Sequence, residues 1–295
     1  MSTSGPHLQP LLLDWYRTEG RMLAWRRTRD PYRILVSEVM LQQTQAARVE
    51  PLYEAFVRRF PTVDALAAAS AAEVVTAWRG LGYNRRAVNL RRAAEAVVQR
   101  HGGAVPSDFQ ALVALPGVGG YTARALRAFA FGQDAAPVDT NVARVVARAV
   151  AGAPLTRRDA QSLADRMVPP GRAAVWSHAV MDLGAGHCLA RSPRCATCPV
   201  AAACAWRRAG AGPDPAARVA GRARVQGRFA GSDRFHRGRV VDALRAGPVG
   251  SADLPTVAGL ADPGRLAALV AGLVADGLAE WCGDTLSLPG AVGEV

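Results

Sequence analysis

The sequence predicts an all-helical protein with a small mixed unit at its C-terminal end. Three observations carry this. Residues 8–205 read as a succession of helix starts and stops, with no convincing run of alternating strands. An Ala-, Gly-, Pro- and Arg-rich stretch lies at 207–230, with the composition of a linker. Four cysteines crowd into the last part of the helical region.

Asp30-Pro31 supplies an N-cap and a first-turn proline for a helix expected to run to about Ala47. Pro61-Thr62 opens another, and Gly80-Leu81-Gly82 closes the helix beyond it. Residues 85–100 form a basic amphipathic helix ended by Gly102-Gly103, and Ser107 with Gln110 makes a capping-box pattern before a short helix. Leu115-Pro116-Gly117-Val118-Gly119-Gly120 is a tight turn, after which Tyr121–Phe131 resumes as helix. Val138-Asp139-Thr140-Asn141 leads into another, to about Val150. This assigns residues 8–206 to one helical domain and 207–230 to a linker. Residues 231–295 form a small unit, with helices at Arg234–Arg245, Leu254–Leu260 and Pro263–Asp276 and a hairpin around Gly283-Asp284. That order suggests a winged helix.

The chain has 295 residues, half of them hydrophobic, which is enough to bury a core. No 18-residue apolar run crosses a membrane, and the first ten residues lack a secretory signal, so a cytoplasmic protein is expected. The formal charge of +12 favours a polyanionic partner such as nucleic acid. All 36 basic residues are arginine, so no lysine amine is available to form a Schiff base.

Cys188, Cys195, Cys198 and Cys204 are separated by six, two and five residues, while Cys282 stands alone. Such a cluster points to a metal rather than a disulfide framework. Tetrahedral zinc and a [4Fe–4S] cluster both accept four thiolates. Zinc sites favour two close pairs, and here only one pair is close, so spacing leans toward the cluster and leaves zinc open.

The glycine turn at 115–120 frees backbone N–H groups for an anion at the following helix start, although a simple helix connection has the same look. Glu38 lies in a largely apolar helix that places Leu41 and Gln42 on its face. By pattern alone it is a surface carboxylate, and Asp139 is a helix N-cap.

Taken together, several strings resemble one family. VSEVMLQQTQ (36–45) is close to a hallmark of the A/G-specific adenine DNA glycosylases, members of the endonuclease III-like helix–hairpin–helix superfamily. Around it lie Leu23-Ala24-Trp25-Arg26, Pro31-Tyr32-Arg33, Gly80-Leu81-Gly82-Tyr83, the LPGVG turn with Tyr121-Thr122-Ala123, and Val138–Val142. Met181–Ala185 followed by the four cysteines resembles that superfamily's iron–sulfur loop. The match spans about residues 12–205.

The resemblance implies a helix–hairpin–helix glycosylase fold with a [4Fe–4S] cluster on the four cysteines. It implies excision of adenine mispaired with 8-oxoguanine or guanine in double-stranded DNA, by a monomer, after the base is flipped out of the stack. Glu38 would protonate the adenine, and Asp139 would stabilise the cationic sugar, with Asn141 and Tyr121 in support. Trp25 and Arg26 would line the adenine pocket with Leu41, and Gln42 and Tyr83 would wedge into the duplex. Gly117, Gly119 and Gly120 would hold a phosphate. Endonuclease III-like relatives carry a lysine where Tyr121 stands; without it, a monofunctional enzyme that uses water is expected.

Two departures stand out. His178 occupies a position where the family commonly has Gln or Glu. Residues 231–295 are too short and too helical for the Nudix-like domain with which many members recognise 8-oxoguanine. The seven arginines from Arg218 to Arg239 are candidates to extend the DNA footprint, and Arg191 and Arg194 to touch phosphate. An endonuclease acting on damaged pyrimidines and a noncatalytic DNA-binding regulator are the rival readings.

Overall fold

The computed structural model describes residues 5–217 and 228–291. In chain order its helices are α1 (Gly5–Glu19), α2 (Pro31–Leu41), α3 (Ala46–Arg59), α4 (Val63–Ala68), α5 (Ala71–Ala77), α6 (Arg85–His101), α7 (Phe109–Val113) and α8 (Gly120–Phe129). Next come α9 (Thr140–Val145), α10 (Arg157–Arg166), α11 (Ala173–Gly186), α12 (Ala205–Arg208), α13 (Asp233–Leu244), α14 (Leu254–Ala258) and α15 (Pro263–Ala275). Three short strands, β1 (Val249–Gly250), β2 (Glu280–Cys282) and β3 (Thr285–Ser287), complete it. No single helix among the described residues is long and apolar enough to cross a membrane.

The chain divides into two units, each discontinuous in sequence. The first holds residues 1–34, 107–109 and 119–225, and the second residues 35–106, 110–118 and 226–295.

In the first unit, α1 buries Leu8 and Leu12, and α11 buries Trp176, Val180 and Leu183. Val142, Val145 and Val146 meet Leu8, Trp176 and Val180 around one small apolar cavity. Each such side chain taken from water contributes about 1.5–3 kcal/mol. Gly184 lets α11 approach α9 closely: a Cβ there would lie 2.7 Å from Asn141 Cβ. The helix expected from Asn141 to Val150 changes character midway. After α9 it widens into a π-helical turn, Val146–Ala151, that buries Arg148 and ends at Gly152 in the left-handed region.

In the second unit, local sequence sets the helix starts. Thr62 caps α4, and Ser70 with Glu73 forms a reciprocal capping box at α5. The core gathers Phe56, Leu66, Val74, Trp78, Leu90 and Val97. Phe56 meets Trp78 edge-on at 5.7 Å. The expected helix to Ala47 stops six residues early, at Leu41. Gln43 turns left-handed (φ 57°). The last carbonyls, of Val39, Met40 and Gln42, are taken by the buried Arg86 guanidinium at 2.9, 2.7 and 2.5 Å. A side chain from another helix thus terminates α2.

Also in the second unit, α13, α14 and α15 precede the hairpin that the sequence suggested. The hairpin gains a partner not foreseen: β1 pairs antiparallel with β3, giving the order β1-β3-β2 with Val249 and Trp281 flanking Leu286. Two residues are too short a strand for a periodic signal. The helix–strand–helix–helix–strand–strand order is that of a winged helix. Beyond the sheet, Pro289 O accepts a 3.0 Å hydrogen bond from Ala72 N at the start of α5. Arg218, Arg222 and Arg224, among the arginines proposed to extend a DNA footprint, lie outside the described residues.

Candidate active site

The first unit carries Trp25, Arg26, Tyr121, Asp139, Asn141, Gly119, Gly120 and the four clustered cysteines. The second carries Glu38, Leu41, Gln42, Tyr83 and Gly117.

Asp139 performs the capping role its position suggested: Oδ1 accepts from Val142 N at 2.7 Å. Its other oxygen accepts from Asn141 Nδ2 at 2.9 Å, so the carboxylate is held at both ends. Asn141 Oδ1 accepts in turn from Arg144 at 2.8 Å. Arg144 is buried and also reaches the carbonyls of Gly184 (2.7 Å) and Cys188 (2.5 Å). One guanidinium therefore fixes both the Asp139–Asn141 pair and the start of the cysteine loop. Burial pushes the Arg144 pKa down, against a contribution from Cys188 that raises it.

Arg26 lies in a short turn beside the buried Trp25 and makes a bidentate pair with Asp182 of α11. Arg21 adds its backbone N–H and its guanidinium to the same carboxylate, at 2.9 and 2.6 Å. Burial would raise the Asp182 pKa, but the hydrogen bonds and charges of Arg26 and Arg21 hold it below the usual carboxylate range. Close by, His178 stacks on Phe129 with ring centroids 4.2 Å apart. Burial, then the positive charges of Arg26 and Arg21, push its pKa down to about 3, so it stays neutral.

Tyr121 is the second residue of α8. That helix starts at Gly119, which has no side chain to cap it, and both Gly119 and Gly120 are exposed. The first amides of α8 are therefore suited to an anion.

The four cysteines line one small cavity with Arg148, His187 and Trp206. Burial pushes the Cys198 thiol up to about 11, and Cys188, Cys204 and Cys195 each add to the rise. Among the described residues, no three His, Cys, Asp or Glu side chains are disposed to hold a single metal ion. Arg148, from the π-helical turn, organises this loop. It donates to Cys188 Sγ (3.5 Å), Leu189 O (2.6 Å) and Ala190 O (3.1 Å), and pairs with Asp214 at 2.6 Å. The surroundings suit a polynuclear group with negative thiolates: one space bordered by four sulfurs, with a buried cation against one of them. Arg191 and Arg194 are exposed.

In the second unit, Glu38 is 5% exposed on the inner face of α2, not on the surface as pattern alone had it. Leu41 ends that helix. Gln42 comes next, half-buried, and its Nε2 donates to Gly117 O at 3.2 Å. Gly117 is left-handed (φ 77°) and a Cβ there would meet Asn89 Cβ at 2.9 Å, so the turn requires glycine. Tyr83 is 40% exposed at φ 46°. Arg86 lies under both wedge candidates. It holds Gln42 O and the carbonyls of Leu81 and Gly82, and its guanidinium lies 5.6 Å from the Tyr83 ring centroid. Burial lowers its pKa to about 10, which leaves it charged at neutral pH.

Sequence reasoning missed Asp182, Arg144, Arg148 and Arg86. A signal existed for Arg86: it shares the apolar stripe of Leu90, Ala93 and Val97, and a cation there implies a buried acceptor set.

Comparison with known proteins identifies the family. A family model described as HhH-GPD superfamily base excision DNA repair protein matches residues 36–170. An adenine DNA glycosylase of Mycolicibacterium smegmatis is 46% identical over 279 residues, covering 92% of each chain. One from Homo sapiens is 42% identical over 210 residues, 66% of this chain and 38% of the human one. Among solved structures, a thermostable thymine-DNA glycosylase superimposes with a TM-score of 0.62 at 31% identity, over 68% of this chain and 94% of that one. Endonuclease III bound to DNA shares the fold, with a TM-score of 0.61 at 24% identity, over 72% of this chain and 99% of that one.

The chain belongs to the HhH-GPD superfamily of base-excision DNA-repair proteins, and the expected all-helical glycosylase fold stands. It is a DNA glycosylase, and the relatives it matches over nearly its whole length carry the name adenine DNA glycosylase.

Proposed function

We propose that the protein removes adenine paired with 8-oxoguanine or guanine in duplex DNA, as a monomer in the cytoplasm. The observation that carries this reading is Glu38, a carboxyl kept 5% exposed on a helix whose sequence is that of the adenine glycosylases. Breaking the bond between adenine and deoxyribose leaves a cationic, oxocarbenium-like sugar and a leaving base that must be protonated. Acid catalysis needs a carboxyl shielded from water, as Glu38 is. The sugar cation needs a fixed carboxylate, and Asp139 is fixed by Val142 and Asn141.

Tyr121 and Asn141 support that carboxylate, and Trp25 and Arg26 with Leu41 line the pocket for the flipped base. Gln42 and Tyr83 fill the gap it leaves in the stack. Gly117, Gly119 and Gly120 bring backbone amides to a phosphate. Water completes the reaction, because Tyr121 has no amine and the sequence contains no lysine. Cys188, Cys195, Cys198 and Cys204 hold a [4Fe–4S] cluster, which fixes the loop and takes no part in bond cleavage.

The test is base release from duplexes carrying A opposite 8-oxoguanine, G or T, together with a T:G mismatch and thymine glycol. Free adenine from the first two alone, lost in Glu38→Gln and Asp139→Asn, is the expected result. Release of a pyrimidine, or of nothing from any duplex by fully loaded protein, overturns it.

A further inference from the structure

His187 follows α11 as its C-terminal cap residue and stands directly ahead of Cys188. It is fixed from several sides. Its backbone N–H donates to Leu183 O at 2.9 Å, and its carbonyl accepts from Leu189 N at 2.9 Å and from Arg194 N at 2.8 Å. Trp15 of α1 meets the imidazole edge-on, with ring centroids 5.6 Å apart and planes at 77°. Backbone and ring are therefore both held in place.

His187 also borders the cavity lined by Cys188, Cys195, Cys198 and Cys204. Its Nδ1 is buried, and no group among the described residues forms a hydrogen bond with it. A buried nitrogen left unmatched costs free energy, and folded interiors contain few of them. The neighbouring cation differs: Arg148 donates to Cys188 Sγ and to the carbonyls of Leu189 and Ala190. The orphaned nitrogen thus belongs to a residue on the wall of the cysteine cavity, and its partner comes from the group those cysteines hold. A [4Fe–4S] cluster takes four thiolates, which the four cysteines supply, so no ligand place falls to His187. The sulfurs of such a cluster are negative and accept hydrogen bonds. An imidazole nitrogen that carries its hydrogen satisfies them, and is satisfied in turn.

We propose that His187 donates a hydrogen bond from Nδ1 to a sulfur of the iron–sulfur cluster and so raises the cluster's reduction potential. This rests on the reading of the four cysteines as cluster ligands. A donor beside the sulfurs stabilises the electron-rich reduced form more than the oxidised one, and hydrogen bonds to sulfur are among the factors that set such potentials. Trp15 and the α11 terminus act as the mount that keeps the donor in position.

The experiment uses the full chain with its cluster reconstituted under anaerobic conditions. Two variants separate the hydrogen bond from the shape of the ring. His187→Phe keeps a ring against Trp15 and removes the donor. His187→Asn carries an amide nitrogen on Cγ, as Nδ1 is, and restores the donor. Iron and sulfide are counted, the potential is read by protein-film voltammetry, and the Fe–S stretching bands are recorded by resonance Raman in light and heavy water. His187→Phe is expected to have a more negative potential than wild type. The shift should change the reduced-to-oxidised ratio at a fixed applied potential by at least about twofold, the lower end for one net hydrogen bond. Part of the heavy-water shift of the Fe–S bands should vanish with it, and His187→Asn should return both toward wild type. Loss of the cluster from His187→Phe but not from His187→Asn, with the wild-type potential kept in the latter, supports the donor equally. A wild-type potential in loaded His187→Phe, or a His187→Asn chain that matches His187→Phe in loading and potential, overturns the proposal. Wild-type protein that takes up neither iron nor sulfide sinks the cluster reading itself and is distinct from either outcome.

Discussion

Arg26 and Asp182 meet through two hydrogen bonds of 2.8 Å each, with side chains only 8% and 3% exposed. The pair ties the loop ahead of α2 to α11. Removing one partner of such a pair leaves an uncompensated buried charge, at a cost of about 3–5 kcal/mol. Asp182→Asn is therefore expected to lower the urea midpoint sharply. The carboxyl is held below its usual range in the fold, so its stabilisation is present at neutral pH and fades as pH falls below about 4. The unfolding curves of wild type and Asp182→Asn should stand apart at neutral pH and approach each other at acidic pH.

His178 behaves oppositely to a histidine that gains a carboxylate partner. Its folded pKa is about 3 against an ordinary 6.5. Between those values the unfolded chain binds a proton that the fold rejects, so stability declines as pH drops through that window. Lowering the pH from about 7 to about 5 should cost the wild type on the order of 1–2 kcal/mol more than His178→Gln. Equal acid sensitivity of the two proteins would contradict this.

Gly184→Ala inserts a methyl 2.7 Å from Asn141 Cβ and 3.2 Å from its carbonyl. Relief requires α9 and α11 to separate, at roughly 1–3 kcal/mol. Because Asn141 supports Asp139, adenine release under single-turnover conditions should fall more than the loss of folded protein explains.

Arg148→Ala removes the cation beside Cys188 and leaves Asp214 without its partner. Iron and acid-labile sulfide of the proposed cluster should drop per chain, and added chelator should strip the remainder faster than from wild type. Full, chelator-resistant iron in this variant would show that the thiolates need no such support.

Much of the framework was readable from one sequence because its signals are local. Thr62 and Ser70 cap the helices that begin beside them, and Gly102 ends α6 in the left-handed conformation. The same locality explains the failures. Nothing near Leu41 announces the end of α2, because the group that ends it, Arg86, arrives from another helix. The π-helical turn after Val145 reads as ordinary helix, since one extra residue per turn leaves composition unchanged. Asp139 and Asn141 were visible as a motif. Arg144, which locks them to the cysteine loop, was not, because its partners come from α11 and the residues after it.

The hydrogen bond from Ala72 to Pro289 has a consequence for how the protein is made. Residues 35–106 leave the ribosome early, yet the unit they belong to closes only when the last strand and the segment after it have been synthesised. Until then the α5 end of this helical layer has an open seam, and its closure is a long-range event of the slow kind. A premature stop anywhere after α12 would therefore damage more than the winged helix. It would release a chain in which the layer formed by residues 35–106 still lacked its C-terminal partner.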